Sequence, residues 1–323
     1  MTRKFKKILI TGISGSGGSL LAEHINKKQK NIKIFGLYRG KGHIESLKKN
    51  VKKNLFLIKC DLQNFSNLKK IIYKVNPCVI FHLASNADVR KSFDKPREII
   101  KNNNEITLNL LDAIRELKLK PLVLICSTSE VYGSVRKKNL PITEKNQINP
   151  INPYAVSKAF QDLVSQVYYK CYNIPIIITR MFSYNNPRRK NLFQSAFADQ
   201  IVNIEKGKQK ILLHGNLNSL RTSLDINDAM ESYWLASTKG KIGEIYNISG
   251  KKSITVRNFL RELIKNSNIK IKTQLNSKLL RRTDIMFQVP DPKKFIRHTG
   301  WKEKVKFSDS IQNFLNFFRG EYK

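Results

Sequence analysis

Six short apolar runs, separated by stretches with helical spacing, restrict the fold of this chain more than any other feature. They read KILITG at 7–12, IKIFGLY at 32–38, NLFLIKCDL at 54–62, PCVIFHLAS at 77–85, LVLICS at 122–127 and IPIIITRMF at 174–182. Each is nearly continuous rather than alternating, as expected of strands buried on both faces. Between them, GSLLAEHINKK, SNLKKIIYKV and the spans 97–118 and 155–172 place apolar residues at helical spacing, for example Ile99, Leu110, Ile114 and Leu117. Strand alternating with helix predicts an α/β chain built on a doubly wound parallel sheet. After about residue 180 the alternation loosens into polar loops, SYNNPRRKN and GNLNSLRTS. The expected division is a sheet domain over 1–180 and a smaller C-terminal α/β lobe over 181–323, with no flexible linker and no internal repeat.

A length of 323 residues with 41% apolar content supports a large core and excludes disorder. No apolar run approaches the roughly 18–20 residues of a membrane span. The start, MTRKFKKILITGISGSGG, is basic and then apolar, but glycine interrupts it too early for a signal peptide. The expectation is a cytoplasmic protein. Cys60, Cys78, Cys126 and Cys171 lie far apart, beside apolar runs and without a CxxC pair, so buried reduced thiols are expected. The five histidines form no ligand cluster, and no metal is expected. Sixty Lys plus Arg against 24 Asp plus Glu give a formal charge of +36. The basic residues are spread along the chain rather than gathered into a stripe. That favours anionic small-molecule ligands over nucleic acid.

TGISGSGG follows the first run and opens the first helical stretch, with Gly12, Gly15 and Gly18 in G-x-x-G-x-x-G spacing around Ser14. Glycines here permit a tight turn and let a pyrophosphate approach a helix N-terminus. In this strand–turn–helix context the motif points to a dinucleotide cofactor on a Rossmann-type sheet. A ribose-binding carboxylate is expected about 20 residues further on. Tyr38 and Arg39 stand there instead, which suits a 2′-phosphate and therefore NADP. Asp61, after the third run, either accepts from an adenine amino group or caps the following helix.

CSTSEVYG at 126–133 puts three hydroxyls and a carboxylate at the end of a buried strand. Tyr154 and Lys158, in NPYAVSK, are four apart and share a helix face. A phenol is a poor base at neutral pH, but a neighbouring ammonium and an oxidised nicotinamide favour the phenolate. The pair can take a proton from a hydroxyl as hydride leaves carbon.

In order along the chain, TGISGSGG, DL at 61–62, HLAS, STSEVYG, NPYAVSK and RMF resemble the extended short-chain dehydrogenase/reductases. GSLLAEHI, FGLYRG, NPRR and GNLNSLR are similar to the GDP-mannose 4,6-dehydratases and the related GDP-4-keto-6-deoxymannose reductases, and LRRTDI and TGW extend the likeness almost to the end. The resemblance implies NADP in the first lobe, held by Gly12, Ser14, Gly15, Gly18, Arg39, Asp61, Leu62, Leu83, Ala84, Ser85, Tyr154 and Lys158, and a nucleotide-sugar between the lobes. It implies that Thr128 hydrogen-bonds the sugar 4-hydroxyl, Tyr154 deprotonates it, and Glu130, beside Ser129, works at C5 and C6. Ser183 would touch the substrate, and Arg188, Arg189, Arg221 and Arg281 would face its diphosphate. It also implies a homodimer or homotetramer built on the helices at 97–118 and 155–172. Ser183 stands where the family commonly has Asn, Thr222 where it commonly has Asp, and Arg282 where dehydratases often have Pro. A GDP-mannose 4,6-dehydratase is favoured because only that chemistry uses Glu130. The rivals are the 4-keto reductase, a nucleotide-sugar epimerase, and an idle NADP- or RNA-binding protein.

Overall fold

The computed structural model describes residues 2–51 and 53–320. In chain order the first half runs β1 (Lys7–Thr11), α1 (Ser16–Lys28), β2 (Lys33–Tyr38), α2 (Ile44–Asn50), β3 (Leu55–Lys59), α3 (Phe65–Val75), β4 (Val79–His82), α4 (Val89–Asp94), α5 (Pro96–Glu116) and β5 (Leu122–Thr128). A 3₁₀ turn over Ser129–Tyr132 leads on to α6 (Pro153–Tyr172) and β6 (Ile176–Met181). Then come α7 (Phe193–Glu205), β7 (Ile211–His214), β8 (Leu220–Thr222), α8 (Ile226–Lys239), β9 (Ile245–Ile248), β10 (Ser253–Thr255), α9 (Val256–Lys265), β11 (Lys272–Leu275), α10 (Lys293–Thr299) and α11 (Phe307–Arg319).

Seven parallel strands form the main sheet in the order β3-β2-β1-β4-β5-β6-β9. Successive side chains on a strand point to opposite faces. Ile8 and Ile10 of β1 therefore join one apolar layer with Leu21, Phe81, Leu124 and Trp234, while Leu9 joins the other with Ile72, Ile80, Leu110 and Ile125. A fully buried side chain of this size contributes about 1.5–3 kcal/mol, so covering both faces is what holds the sheet between its helices. The strand order reverses between β1 and β4, which opens a crevice at their carboxyl ends, the usual ligand position in open α/β sheets.

One expectation is corrected by the topology. Residues 245–248, assigned by sequence to the smaller lobe, form the seventh strand of the main sheet, pairing Ile178 with Ile245 and Met181 with Ile248. Met230 and Trp234 of α8 belong to the same apolar layer as Leu21 and Ile25 of α1. The chain thus returns to the large lobe after residue 180. The smaller lobe keeps β7 with β11, β8 with β10, and a separate core of Phe197, Ile201, Leu212, Phe259, Leu260 and Phe314. The cysteines are free as expected, but Cys78 and Cys171 are exposed and only Cys60 and Cys126 are buried. Flanking apolar runs did not reveal that the first precedes β4 and the second lies at the outer end of α6. Among the described residues no helix is long and apolar enough to cross a membrane, and no cluster of potential metal ligands occurs.

Candidate active site

The glycine turn packs against the loop that follows β4. A Cβ on Gly12, whose φ is +68°, would sit 2.8 Å from the Ala84 Cα, and one on Gly18 would sit 2.4 Å from the Gly12 carbonyl oxygen. Only glycine fits either position. Gly15 caps α1 without a side chain, so the first amides of that helix are left for a ligand. The turn forms one wall of a cavity of about 470 Å³ together with Ser14, Arg39, Asp61, Leu62, Leu83, Ala84 and Ser85. This combination of a side-chain-free cradle, unspent helix amides and an arginine at the far end fits a dinucleotide. Asp61 does not cap α3; Asn64 does, accepting from the Asn67 amide at 3.0 Å. Asp61 Oδ1 accepts from the Gln63 amide at 3.0 Å, and its Oδ2 lies 3.8 Å from Arg39 Nη1.

A second cavity of about 540 Å³ shares Gly12, Gly15, Leu83 and Ser85 with the first and continues between the lobes. It is lined by Thr128, Ser129, Glu130, Tyr154, Lys158, Ser183, Arg189, Arg221 and Arg281. The two cavities together match the usual size of small-molecule sites.

The three hydroxyls at the end of β5 have different fates. Ser127 points into the protein, donating to Asp162 Oδ2 at 2.9 Å. Thr128 Oγ1 accepts from the Glu130 amide at 3.3 Å and hydrogen-bonds the Tyr154 phenol. Ser129 is buried at the cavity wall. Tyr154 and Lys158 ride on α6, which is capped by Asn152 and has Pro153 in its first turn. Burial raises the Tyr154 pKa, and the cation that most offsets this is Arg189, with Glu130 opposing. Lys158 is buried too, and desolvation lowers it to about 8. Its ammonium donates to the Cys126 carbonyl and to Gln161 Oε1. Gln161 in turn donates to the Asn103 carbonyl at 3.0 Å and to Thr107.

Thr107 also meets His82 Nε2 at 2.9 Å, and His82 Nδ1 meets Thr11 Oγ1 at 2.9 Å. Thr107 gives its proton to the Asn103 carbonyl at 3.0 Å, so His82 Nε2 must donate. Burial pushes the His82 pKa down to about 3 and keeps the ring neutral, so Nδ1 accepts from Thr11. Thr11 Oγ1 then accepts from the Ala84 amide at 3.2 Å, linking the glycine-turn wall to Lys158 through one buried chain.

Arg188 lies elsewhere than expected. Its guanidinium grips Glu23 at 2.9 and 3.0 Å and bonds Ser19 and Ser46, fastening the segment after β6 to α1 and α2. A carboxylate on α1 that faces the arginine captures it, which the NPRR motif alone does not show. Arg189 stays at both cavities, donating to the Ala87 carbonyl. Arg221 is buried beside Asp284, at 3.2 Å, with its pKa lowered by desolvation. Ser183 Oγ accepts from Gln194 at 2.6 Å, and Thr222 donates to the Ser183 carbonyl at 3.2 Å. Sequence reasoning missed Asn152, Gln161 and His82. Of these, Asn152 was legible as an N-cap before Pro153.

The family model described as GDP-mannose 4,6 dehydratase matches residues 9–314. A dTDP-D-glucose 4,6-dehydratase from Dictyostelium discoideum is 32% identical over 75% of this chain, which spans only 58% of that protein. A GDP-mannose 4,6 dehydratase of the same organism is 28% identical over 98% of this chain and 96% of its own length. Among solved structures, UDP-glucuronic acid 4-epimerase from Bacillus cereus, in complex with UDP-glucuronic acid and NAD, superposes with a TM-score of 0.85 at 26% identity, covering 98% of this chain and 100% of its own. With a glycine cradle, a hydroxyl–phenol–ammonium set and an inter-lobe cavity on this sheet order, and a family match along nearly its whole length, the chain belongs to the GDP-mannose 4,6 dehydratase family.

Proposed function

We propose that the protein is an NADP-dependent GDP-mannose 4,6-dehydratase, converting GDP-mannose to GDP-4-keto-6-deoxymannose and water. The observation that carries this choice is Glu130, a carboxylate on the same cavity wall as Thr128 and Tyr154. A simple reductase or epimerase has no use for a carboxylate there. Arg39 at the far end of the cofactor cavity favours NADP over NAD.

Thr128 orients the sugar 4-hydroxyl, and Tyr154 takes its proton. The charge of Arg189, joined by that of a bound oxidised cofactor, would offset the burial that otherwise keeps the phenol protonated. When bound along the glycine turn, NADP would supply the hydride chemistry for oxidation at C4 and reduction at C6. The C4 ketone acidifies the C5 hydrogen, and Glu130 removes that proton. The C6 hydroxyl leaves as water, taking one proton, and the C5 carbon finally regains one. Hydride lost and gained balance, so no reductant is consumed. Arg189, Arg221 and Arg281 bind the diphosphate, the guanidinium fork being suited to phosphate oxygens.

A second copy of the chain covers the outer face of α6 in this proposal. Val156, Leu163 and Val167 lie along one stripe there, 42%, 50% and 50% exposed. Incubation with GDP-mannose and NADP, with products identified by mass, tests the function. A 4-keto-6-deoxy nucleotide-sugar formed without added reductant supports it. If GDP-mannose is inert and a 4-keto-6-deoxy nucleotide-sugar consumes NADPH, the protein is the reductase, as the paired Arg281 and Arg282 would suit.

A further inference from the structure

We infer that Asn152 is the positioning residue for Glu130, a role that rests on Glu130 being the base of the proposed elimination. Asn152 is only 6% exposed and makes two bonds with the two ends of one amide. Its Oδ1 accepts from the Ala155 amide at 2.8 Å and so caps α6. Its Nδ2 donates to Glu130 Oε2 at 2.9 Å.

The first bond fixes the second. An asparagine amide can be turned end for end, and its orientation must be settled by its partners. Here the cap demands an oxygen toward Ala155, because a backbone N–H can only donate. The nitrogen is therefore left facing Glu130, where a carboxylate can only accept. Aspartate or serine would cap α6 as well as asparagine does. Neither would present an N–H to Glu130. Asparagine is selected by the second task.

The consequence is geometric. Glu130 sits on a single 3₁₀ turn after β5, whereas Tyr154 and Lys158 sit on α6. Asn152 is the first residue of the α6 cap, two residues before Tyr154. By holding Oε2, it ties the residue that removes the C5 proton to the helix carrying the residue that removes the hydroxyl proton. Oε1 is then the oxygen that takes the C5 proton. Positioning of this kind governs catalysis because a displacement of about 1 Å can cost 100-fold in rate.

Two variants test this, Asn152→Ser and Asn152→Asp. Both retain the cap oxygen and lose the amide N–H that meets Glu130; the serine hydroxyl keeps a proton but ends one bond short of the amide nitrogen, and the aspartate adds a like charge beside Glu130. Single-turnover mixtures with GDP-mannose and NADP are quenched, reduced with borodeuteride and weighed, so that sugar oxidised at C4 gains one mass unit over unreacted GDP-mannose. This separates sugar oxidised at C4 but still bearing its C6 hydroxyl from 6-deoxy product. Elimination should fall at least about tenfold further than C4 oxidation in Asn152→Ser, and further again in Asn152→Asp, within the roughly 100- to 10,000-fold range for losing a general base. Equal loss of both steps, or loss of neither, overturns the inference. Crystal structures of the unmutated chain and of Asn152→Ser read the same point without turnover. The Glu130 carboxylate should be ordered against Asn152 in the first and turned away in the second. If it keeps its place in Asn152→Ser, the inference fails. If GDP-mannose proves inert while the carboxylate does turn, the dehydratase proposal fails and the positioning role stands.

Discussion

Arg180 grips both oxygens of Asp162, Nε to Oδ2 at 2.9 Å and Nη2 to Oδ1 at 3.0 Å, beneath the strand ends that carry Thr128 and Met181. Both side chains are almost fully buried. Asp162 also holds Ser127, and Arg180 bonds the Tyr132 hydroxyl at 3.0 Å. Burial alone would lower the Arg180 pKa, but the Asp162 carboxylate raises it above its ordinary value. The pair ties α6 to β6 under the candidate active site. Asp162→Asn leaves the guanidinium buried without its counter-charge, so stability should fall by about 3–5 kcal/mol. Urea denaturation measures this, and a loss below about 1 kcal/mol would show that the pair is not structural.

Arg39 should set cofactor choice. Its side chain lines the dinucleotide cavity, 3.8 Å from Asp61. The unmutated protein should bind NADP more tightly than NAD, and Arg39→Ala should reduce that preference by about 10- to 100-fold, the worth of one or two charge-assisted bonds. Calorimetric titration with both cofactors decides it. Equal affinities in the unmutated protein would remove Arg39 from this role.

Tyr154→Phe removes the phenol and keeps the ring. Oxidation at the sugar C4 should nearly stop while cofactor affinity changes little. Turnover surviving within a few-fold would mean another group takes the hydroxyl proton. Arg189 and Thr128 are the neighbours to examine then, since both act on the phenol.

Glu130→Gln keeps the shape of the side chain and abolishes the base. C4 oxidation should continue while elimination falls about 100- to 10,000-fold. In deuterium oxide the unmutated enzyme should place deuterium at C5 of its product, and the variant far less. Deuterium at C5 at the unmutated rate would show that another group removes the C5 proton.

Lys158 gives stability a defined pH dependence. In the folded protein it releases its proton at about 8, against 10.5 for the ordinary side chain. Between those values the unfolded state holds the extra proton, so this residue's contribution to stability rises with pH across the window and is least favourable below pH 8. Lys158→Met lacks the contribution. The stability of the unmutated chain relative to this variant should therefore increase by about 1–3 kcal/mol from pH 7.5 to 10.5. Urea curves at both pH values check the sign, and a decrease would contradict burial of the ammonium.

The sequence by itself determined the layered sheet, because short apolar runs such as LVLIC alternate with longer helical stretches, the pattern of strands covered on both faces. It also determined the cofactor cradle, since Gly12 and Gly18 occupy positions where any Cβ collides with backbone. Tyr154 and Lys158 were legible as a pair because helical spacing is a local property. Arg188 and Arg189 were not distinguishable, being adjacent and identical. Only packing decides that one meets Glu23 on α1 and the other meets the cavity. The same holds for Ser127 and Thr128. Strand alternation sends one inward to Asp162 and the other toward Tyr154, but which face is which depends on the helix packed against it. Residues 245–248 joined the main sheet because the edge of β6 was open to them, a vacancy that no local pattern records. Contacts between residues far apart in sequence, such as Asn152 with Glu130 and His82 with Thr107, exist only once loop closure and burial have brought their elements together.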